Sequence, residues 1–417
     1  MNSPLPQLVP AFKRGTVVGG YELLAPLGTG GMARVWCARP VGDEGFDRLV
    51  AVKTIHPHLV ADVSARTLFQ TEIYIGQSVM HPNICSTLAA GEHQGAPYLV
   101  MDWVAGDSLQ SIVRNSGPLP VRILVHIVKQ VALALAALHR AERDGVGLGI
   151  VHRDVSPDNI LISAEGDVKL IDFGVARSSF LQGKADKDLR GKVRYMAPEQ
   201  LALKNIDGRA DIFSLSCVFY ELAAGKPPFD GETDVQVIHS LLNGELMLPS
   251  RLRDDFPNQL EGVLIKAMSE DPTYRFPAAE KMADALASWL AGSGPDITRK
   301  DLAAFVNVVS GVRIATQRTR IREGDTLSGF VPPLVPVRPV RPQSMTPSGP
   351  SISRVMPKKH ALPFVERGQV EHGYTEDVPV TSTSSWPHAH SKWNYILAGS
   401  IGVAVALVGV LLALLFR

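Results

Sequence analysis

The order in which local patterns follow one another constrains the fold of this chain most strongly. Four early segments, YELLAPLG, ARVWCARP, LVAVKTI and PYLVMDWV, read as β-strands. Later, VRILVHIVKQVALALAALHRA carries its apolar residues at helical spacing. Strands first and helices afterwards predict an α+β architecture, a small β-rich lobe followed by a larger helical one. Globular composition begins at Tyr21 and runs to about Trp289. This sets a domain over residues 21–291 behind a flexible arm, residues 1–20.

The segment DITRKDLAAFVNVVSG predicts one more helix within residues 292–310, with Asp296 as its cap. It either packs on the domain or belongs to a linker. Residues 311–393 are rich in proline, serine and threonine, the composition of a disordered linker. The chain then changes character again. YILAGSIGVAVALVGVLLALLF, Tyr395 to Phe416, contains no charged residue. As a helix it would span ~33 Å, against a hydrocarbon core of roughly 30 Å. It is apolar all round, where a soluble core helix would show a polar face. Lys392, Trp393 and Tyr395 stand where interfacial anchors are expected. Residues 394–416 therefore predict one transmembrane helix, with Arg417 alone beyond it.

A net charge of +1 with no polybasic run argues against a nucleic-acid partner. Cys37, Cys85 and Cys217 are too scattered for a disulfide framework or a zinc site, and read as free thiols in a reducing compartment. MNSPLPQLVPAFKRG lacks the basic-then-apolar layout of a secretory signal.

Chemistry concentrates in a few short stretches. In LGTGGMARVW, Gly28, Gly30 and Gly31 lie between two strand-like runs. Glycines there let backbone N–H groups approach phosphate oxygens, although an ordinary hairpin turn looks the same. VAVK ends in Lys53, and LFQTEIYIGQSV supplies Glu72 on a predicted helix, either to orient that lysine or as a structural ion pair. HRDVSPDN brings Asp154 and Asn159, KLIDFGVA brings Asp172, and YMAPEQ comes after them.

In this order and at these intervals, the segments resemble the bacterial eukaryotic-type (Hanks-type) serine/threonine protein kinases over Tyr21 to Trp289. The resemblance implies a bilobal protein-kinase fold, ATP with Mg²⁺ (or Mn²⁺) as cofactor and protein substrates. Gly28, Thr29, Gly30, Gly31, Met32 and Ala33 would cover the phosphates. Leu27, Val35 and Ala51 would also belong to the nucleotide site, Met101 would be the gatekeeper, and Asp102 to Val104 the hinge. Lys53, oriented by Glu72, would hold the α- and β-phosphates. Asp154 would orient the attacking hydroxyl, and Asn159 and Asp172 would hold the metal. Asp211 would support the catalytic-loop backbone, and Arg275 would pair with Glu199. With ATP as substrate the domain faces the cytosol, so the C-terminal span implies a tail anchor in the cell's inner membrane.

Three positions depart from the family pattern. Ala33 replaces the third glycine. Ser156 stands where the family has a lysine that contacts the transferring phosphate. In GKVRYMAPEQ, Lys192 stands where the family has a threonine. A lysine and a hydroxyl residue have changed places, so Lys192 is expected to reach Asp154 and Ser156 from the opposite side and restore the charge. The site requires a cation near the developing charge, whichever loop supplies it. The competing reading is a solvated loop lysine and an inert serine.

Arg153 before Asp154 leaves room for control by a phosphate on Ser178 or Ser179. Ala398, Gly402 and Ala406 recur every four residues, the small-residue spacing that promotes a homodimer through the span. The leading function is an active, membrane-anchored and autophosphorylating protein kinase. Its alternative is a pseudokinase scaffold that binds nucleotide without efficient turnover.

Overall fold

The fold comes from a computed structural model, which describes residues 11–42, 48–174, 192–243 and 246–323. The arm-side sheet is antiparallel and six-stranded, in the order β1-β2-β3-β4-β6-β5. Its strands are β1 (Val17–Val18), β2 (Tyr21–Thr29), β3 (Ala33–Pro40), β4 (Val50–Ile55), β5 (Thr87–His93) and β6 (Ala96–Asp102). Helix α1 (Val63–Ser78) packs beside β5 and β6, with Asp62 as its N-cap accepting from the Ala65 N–H at 2.9 Å. Leu23, Trp36, Val52, Phe69 and Val100 form the core of this lobe.

Part of the expected arm packs on this lobe. Phe12 and Val18 are buried in the same core, Phe12 lies against the His93 ring, and β1 pairs with the start of β2. One aromatic ring with somewhere to bury is enough to tie down this part of the arm.

The second lobe is helical. A short strand β7 (Gly106–Ser108) leads into α2 (Leu109–Ser116) and then α3 (Val121–His139). Val131, Ala134, Leu135 and Leu138 of α3 are fully buried. By length and composition α3 could cross a membrane, but here it is the central core helix. After it comes a two-stranded hairpin, β8 (Glu142–Arg143) and β9 (Val146–Gly147). Strand β10 (Ile160–Ser163) pairs with β7 and with β11 (Val168–Leu170). The lobe is completed by α4 (Pro198–Leu201), α5 (Arg209–Ala224), α6 (Asp234–Asn243), α7 (Asn258–Ala267) and α8 (Ala279–Gly292). All three cysteines are buried and free.

The last described helix, α9 (Arg299–Glu323), differs from expectation. It does not stop near residue 310 but takes in the first part of the expected linker. Residues 311–323 contain no proline, and Ile314 and Ile321 continue the buried stripe of Leu302, Val306 and Ser310. The rest of the expected linker and the apolar stretch at residues 394–416 lie outside the described residues.

Candidate active site

β4 carries Lys53 in register opposite Val35 of β3 and Leu99 of β6. Its Nζ donates to Glu72 Oε1 of α1 at 2.5 Å and to Asp172 Oδ1 at 2.7 Å. Burial works against a charged lysine here, but the Asp172 and Glu72 carboxylates outweigh it and push the ammonium above its ordinary range. Burial also opposes ionisation of Asp172, yet Lys53, with Lys192 and His152 adding to it, holds that carboxyl below the usual range. The Lys53–Glu72 pair is thus one side of a three-membered cluster.

The segment between β9 and β10 brings in the second group. Asn159 Nδ2 donates to the Asp154 backbone carbonyl at 2.8 Å, which ties the two together across a single tight turn. Arg153 and Asp172 both sit at positive φ, 65° and 54°. Non-glycine residues occupy that region only where their surroundings hold them, and such residues cluster at functional sites. For Arg153 the holder is Asp211 at the start of α5. It is fully buried and accepts the backbone N–H groups of His152 and Arg153, each at 2.8 Å. Asp211 also meets His139 Nε2 at 2.7 Å. Burial opposes its charge, but the His139 contact and those backbone bonds keep it below the usual range. Sequence reasoning missed His139. Its only signal was its place as the last residue of an apolar helix.

Gly174 is required by close approach. A Cβ there would lie 2.6 Å from the Asp154 Cβ and 2.9 Å from the His152 carbonyl, while its own N–H donates to that carbonyl. This brings Asp172 up against the Asp154 loop.

Lys192 settles against Asp154, with Nζ 3.0 Å from Oδ2. Ser156 is 2% exposed, and its Oγ has no hydrogen-bond partner among the described residues. The glycine-rich turn joins β2 to β3, closed by the Gly30 N–H on the Ala33 carbonyl at 2.9 Å. A Cβ on Gly28 would meet nothing, and one on Gly30 only that carbonyl at 3.9 Å. Ala33 is buried in the strand, so its methyl group does not project into the open turn. Ala51 lies opposite Met101, which precedes Asp102 at the end of β6. Arg275 and Glu199 form a buried two-pronged pair at 2.6 and 2.9 Å. Ser178 and Ser179 lie outside the described residues. Tyr195, the remaining hydroxyl of that stretch, is buried and donates to Glu221 at 2.6 Å.

A lysine–carboxylate cluster, an aspartate beside an asparagine, and an open glycine turn make up the working parts of a phosphoryl-transfer site. The comparisons agree with that geometry. The protein kinase domain family matches residues 21–286. The chain belongs to that family. Its relatives include the tyrosine-protein kinase MasK of Myxococcus xanthus (strain DK1622), 36% identical over 340 residues, covering 78% of this chain and 52% of MasK. Another is the serine/threonine-protein kinase PknB of Mycolicibacterium smegmatis, 35% identical over 283 residues, covering 66% of this chain and 44% of PknB. The chain thus spans about half the length of the curated relatives it matches. Among solved structures, the kinase domain of Mycobacterium tuberculosis PknI aligns at 29% identity with a TM-score of 0.51, covering 68% of this chain and all of the other.

Proposed function

We propose that this chain is an active protein kinase that moves the γ-phosphoryl group of ATP to serine or threonine hydroxyls of proteins, its own included. The observation that carries this reading is the contact of Lys192 Nζ with Asp154 Oδ2 at 3.0 Å, in a site whose Ser156 hydroxyl has no partner among the described residues. A scaffold with no chemistry would have no use for a cation at that point. With Lys192 there, the family's charge is supplied from the other side of the site.

The donors suit the cofactor. One carboxylate (Asp172) and one amide (Asn159) match a Mg²⁺ ion that takes its remaining ligands from phosphate and water. Bound Mg²⁺ would offset negative charge on the phosphates. Lys53, kept charged by its two carboxylates, would fix the α- and β-phosphates. Asp154 would align the attacking hydroxyl, and Lys192 would balance charge on the moving phosphoryl group.

Specificity has a second reading, favoured by one observation: the relative at 36% identity is named a tyrosine-protein kinase. The apolar stretch at residues 394–416 supports a further proposal, a single-pass anchor that keeps the kinase domain on the cytoplasmic face of the membrane.

One experiment tests both the activity and its target. Full-length chain is incubated with γ-labelled ATP, Mg²⁺ and a generic protein substrate, beside Asp172→Ala, and phospho-amino acids are identified. Labelling on serine and threonine that vanishes with Asp172→Ala is expected. Labelling confined to tyrosine would overturn the specificity, and ATP binding with no labelling would overturn the activity.

A further inference from the structure

Helix α9 buries one face against both lobes. Leu302, Val306 and Ile314 enter the core of the helical lobe. Seven residues on, Ile321 is 2% exposed in a separate cluster with Ala25 and Cys37, strand residues of the other lobe. The helix touches β2 as well as β7 and β10. Polar contacts fasten its length to the helical lobe. Arg299 pairs with Asp167 at 2.6 Å, Arg318 with Glu165 at 3.0 Å and Arg313 with Asp107 at 3.3 Å, and Asn307 donates to the Ala164 carbonyl at 2.8 Å.

The place of Ile321 gives this bridge a meaning. Cys37 lies opposite Ala51 and Val35 opposite Lys53, so all four share one face of the sheet. That face carries the nucleotide residues. The partly buried members of the Ile321 cluster are Leu24, Leu27, Leu49 and Trp103. Leu27 opens the glycine-rich turn, and Trp103 sits between Asp102 and Val104 of the hinge. The small cluster that Ile321 completes with Ala25 and Cys37 therefore has both the root of the phosphate loop and the hinge packed against it.

We propose that α9 is a strut across the hinge and that Ile321 is a positioning residue for nucleotide, holding Leu27 and Trp103 so that the base slot is preformed. A preformed slot binds more tightly because less ordering remains to be done on binding. The stretch shared with MasK covers 78% of this chain, and a stretch that long cannot fit in 417 residues without taking in α9. The strut rests on the nucleotide-binding reading above.

The test uses the full chain. ATP·Mg²⁺ affinity is measured by calorimetry, and KM for ATP and kcat with a generic protein substrate. Ile321→Asp is expected to weaken ATP in Kd and KM about tenfold, equal to about 1.4 kcal/mol. At saturating ATP, kcat stays within about twofold, because the chemical groups are untouched. Ile321→Val restores ATP affinity, and Val308→Asp, at an 86% exposed position of the same helix, leaves it unchanged.

Thiol labelling reports the contact itself. Cys37 is fully buried and burial pushes its thiol up to about 12, so the parent is expected to resist alkylation there. Ile321→Asp should make Cys37 alkylatable while Cys217, buried in α5, stays inert. If both cysteines label, the chain has unfolded and the same readings on Ile321→Ala decide. Cys37 newly labelled with ATP affinity unchanged overturns the strut, as does a Cys37 that stays protected. A parent chain that binds no ATP overturns the nucleotide reading instead.

Discussion

Two charge clusters in this domain use similar residues to opposite ends. Arg275 and Glu199 are closed off, with side-chain exposures of 0% and 8%. Arg275 donates twice to Glu199 and once each to the carbonyls of Arg209, Ser269 and Glu270, and its guanidinium lies 4.8 Å over the Phe213 ring. All five of its N–H groups are used. The cluster of Lys53, Asp172, Lys192 and Asp154 is left open. Side-chain exposure there reaches 33% at Lys192 and 37% at Asp172, lysines replace the planar guanidinium, and the Ser156 hydroxyl has no partner among the described residues. A pair with every valence filled can only hold the fold. A cluster of point charges that is still partly open to solvent can take in phosphate, metal and a hydroxyl. The first pair should therefore fail through stability and the second through rate.

The largest effect breaks the open cluster. Asp154→Asn should cut phosphoryl transfer by about a thousandfold or more, since it removes the group that orients the hydroxyl, with little change in melting temperature. Steady-state labelling and a thermal melt on the same sample check both halves. Arg275→Ala should do the reverse. It leaves Glu199 buried and unpaired, at about 3–5 kcal/mol of stability, and the molecules that remain folded should keep their kcat. Denaturant unfolding alongside active-site titration separates the two. Lys53→Met comes next, expected to slow the reaction about a hundredfold by removing one charge-stabilising donor.

The first lobe and the order of the chemical motifs were legible because their signals are local. A glycine turn between strand-like runs, a lysine in a strand and an aspartate before glycine each declare themselves within a few residues. What stayed hidden depends on distant partners. Phe12 gave no sign in its own segment that it would find His93 and the sheet core. The bond of His139 to Asp211 joins residues far apart in sequence, and no periodicity marks it. Helix α9 was cut short because the shift toward linker composition outweighed Ile314 and Ile321, two apolar residues whose burial only the folded lobes reveal. Lys192 drew notice for a different reason. One departure from the family pattern removes a cation and another adds one, and Lys192 Nζ lies 3.0 Å from Asp154 Oδ2, while the Ser156 hydroxyl has no partner among the described residues.

The smallest effect concerns pH and sharpens the contrast from the structural side. His152 is fully buried, and burial holds its imidazole below the ordinary value. Between its folded and unfolded values the unfolded chain binds the extra proton. The stability contribution is therefore complete above about pH 6.5 and drains away as pH falls, by at most about 1.4 kcal/mol per pH unit for one group. Urea unfolding between about pH 7.5 and about pH 5.5, on either side of that value, should show this decline. His152→Phe should flatten it in part, since His81 and His126 are held down by burial in the same way.

Lys192 as the source of the cation that position 156 lacks is tested most directly by a cycle of Lys192→Thr, Ser156→Lys and the two together, with kcat measured at saturating ATP. Lys192→Thr alone should lower kcat about a hundredfold, and adding Ser156→Lys should restore most of it. If Lys192→Thr is harmless, or the losses simply add in the double variant, the compensated pair does not exist.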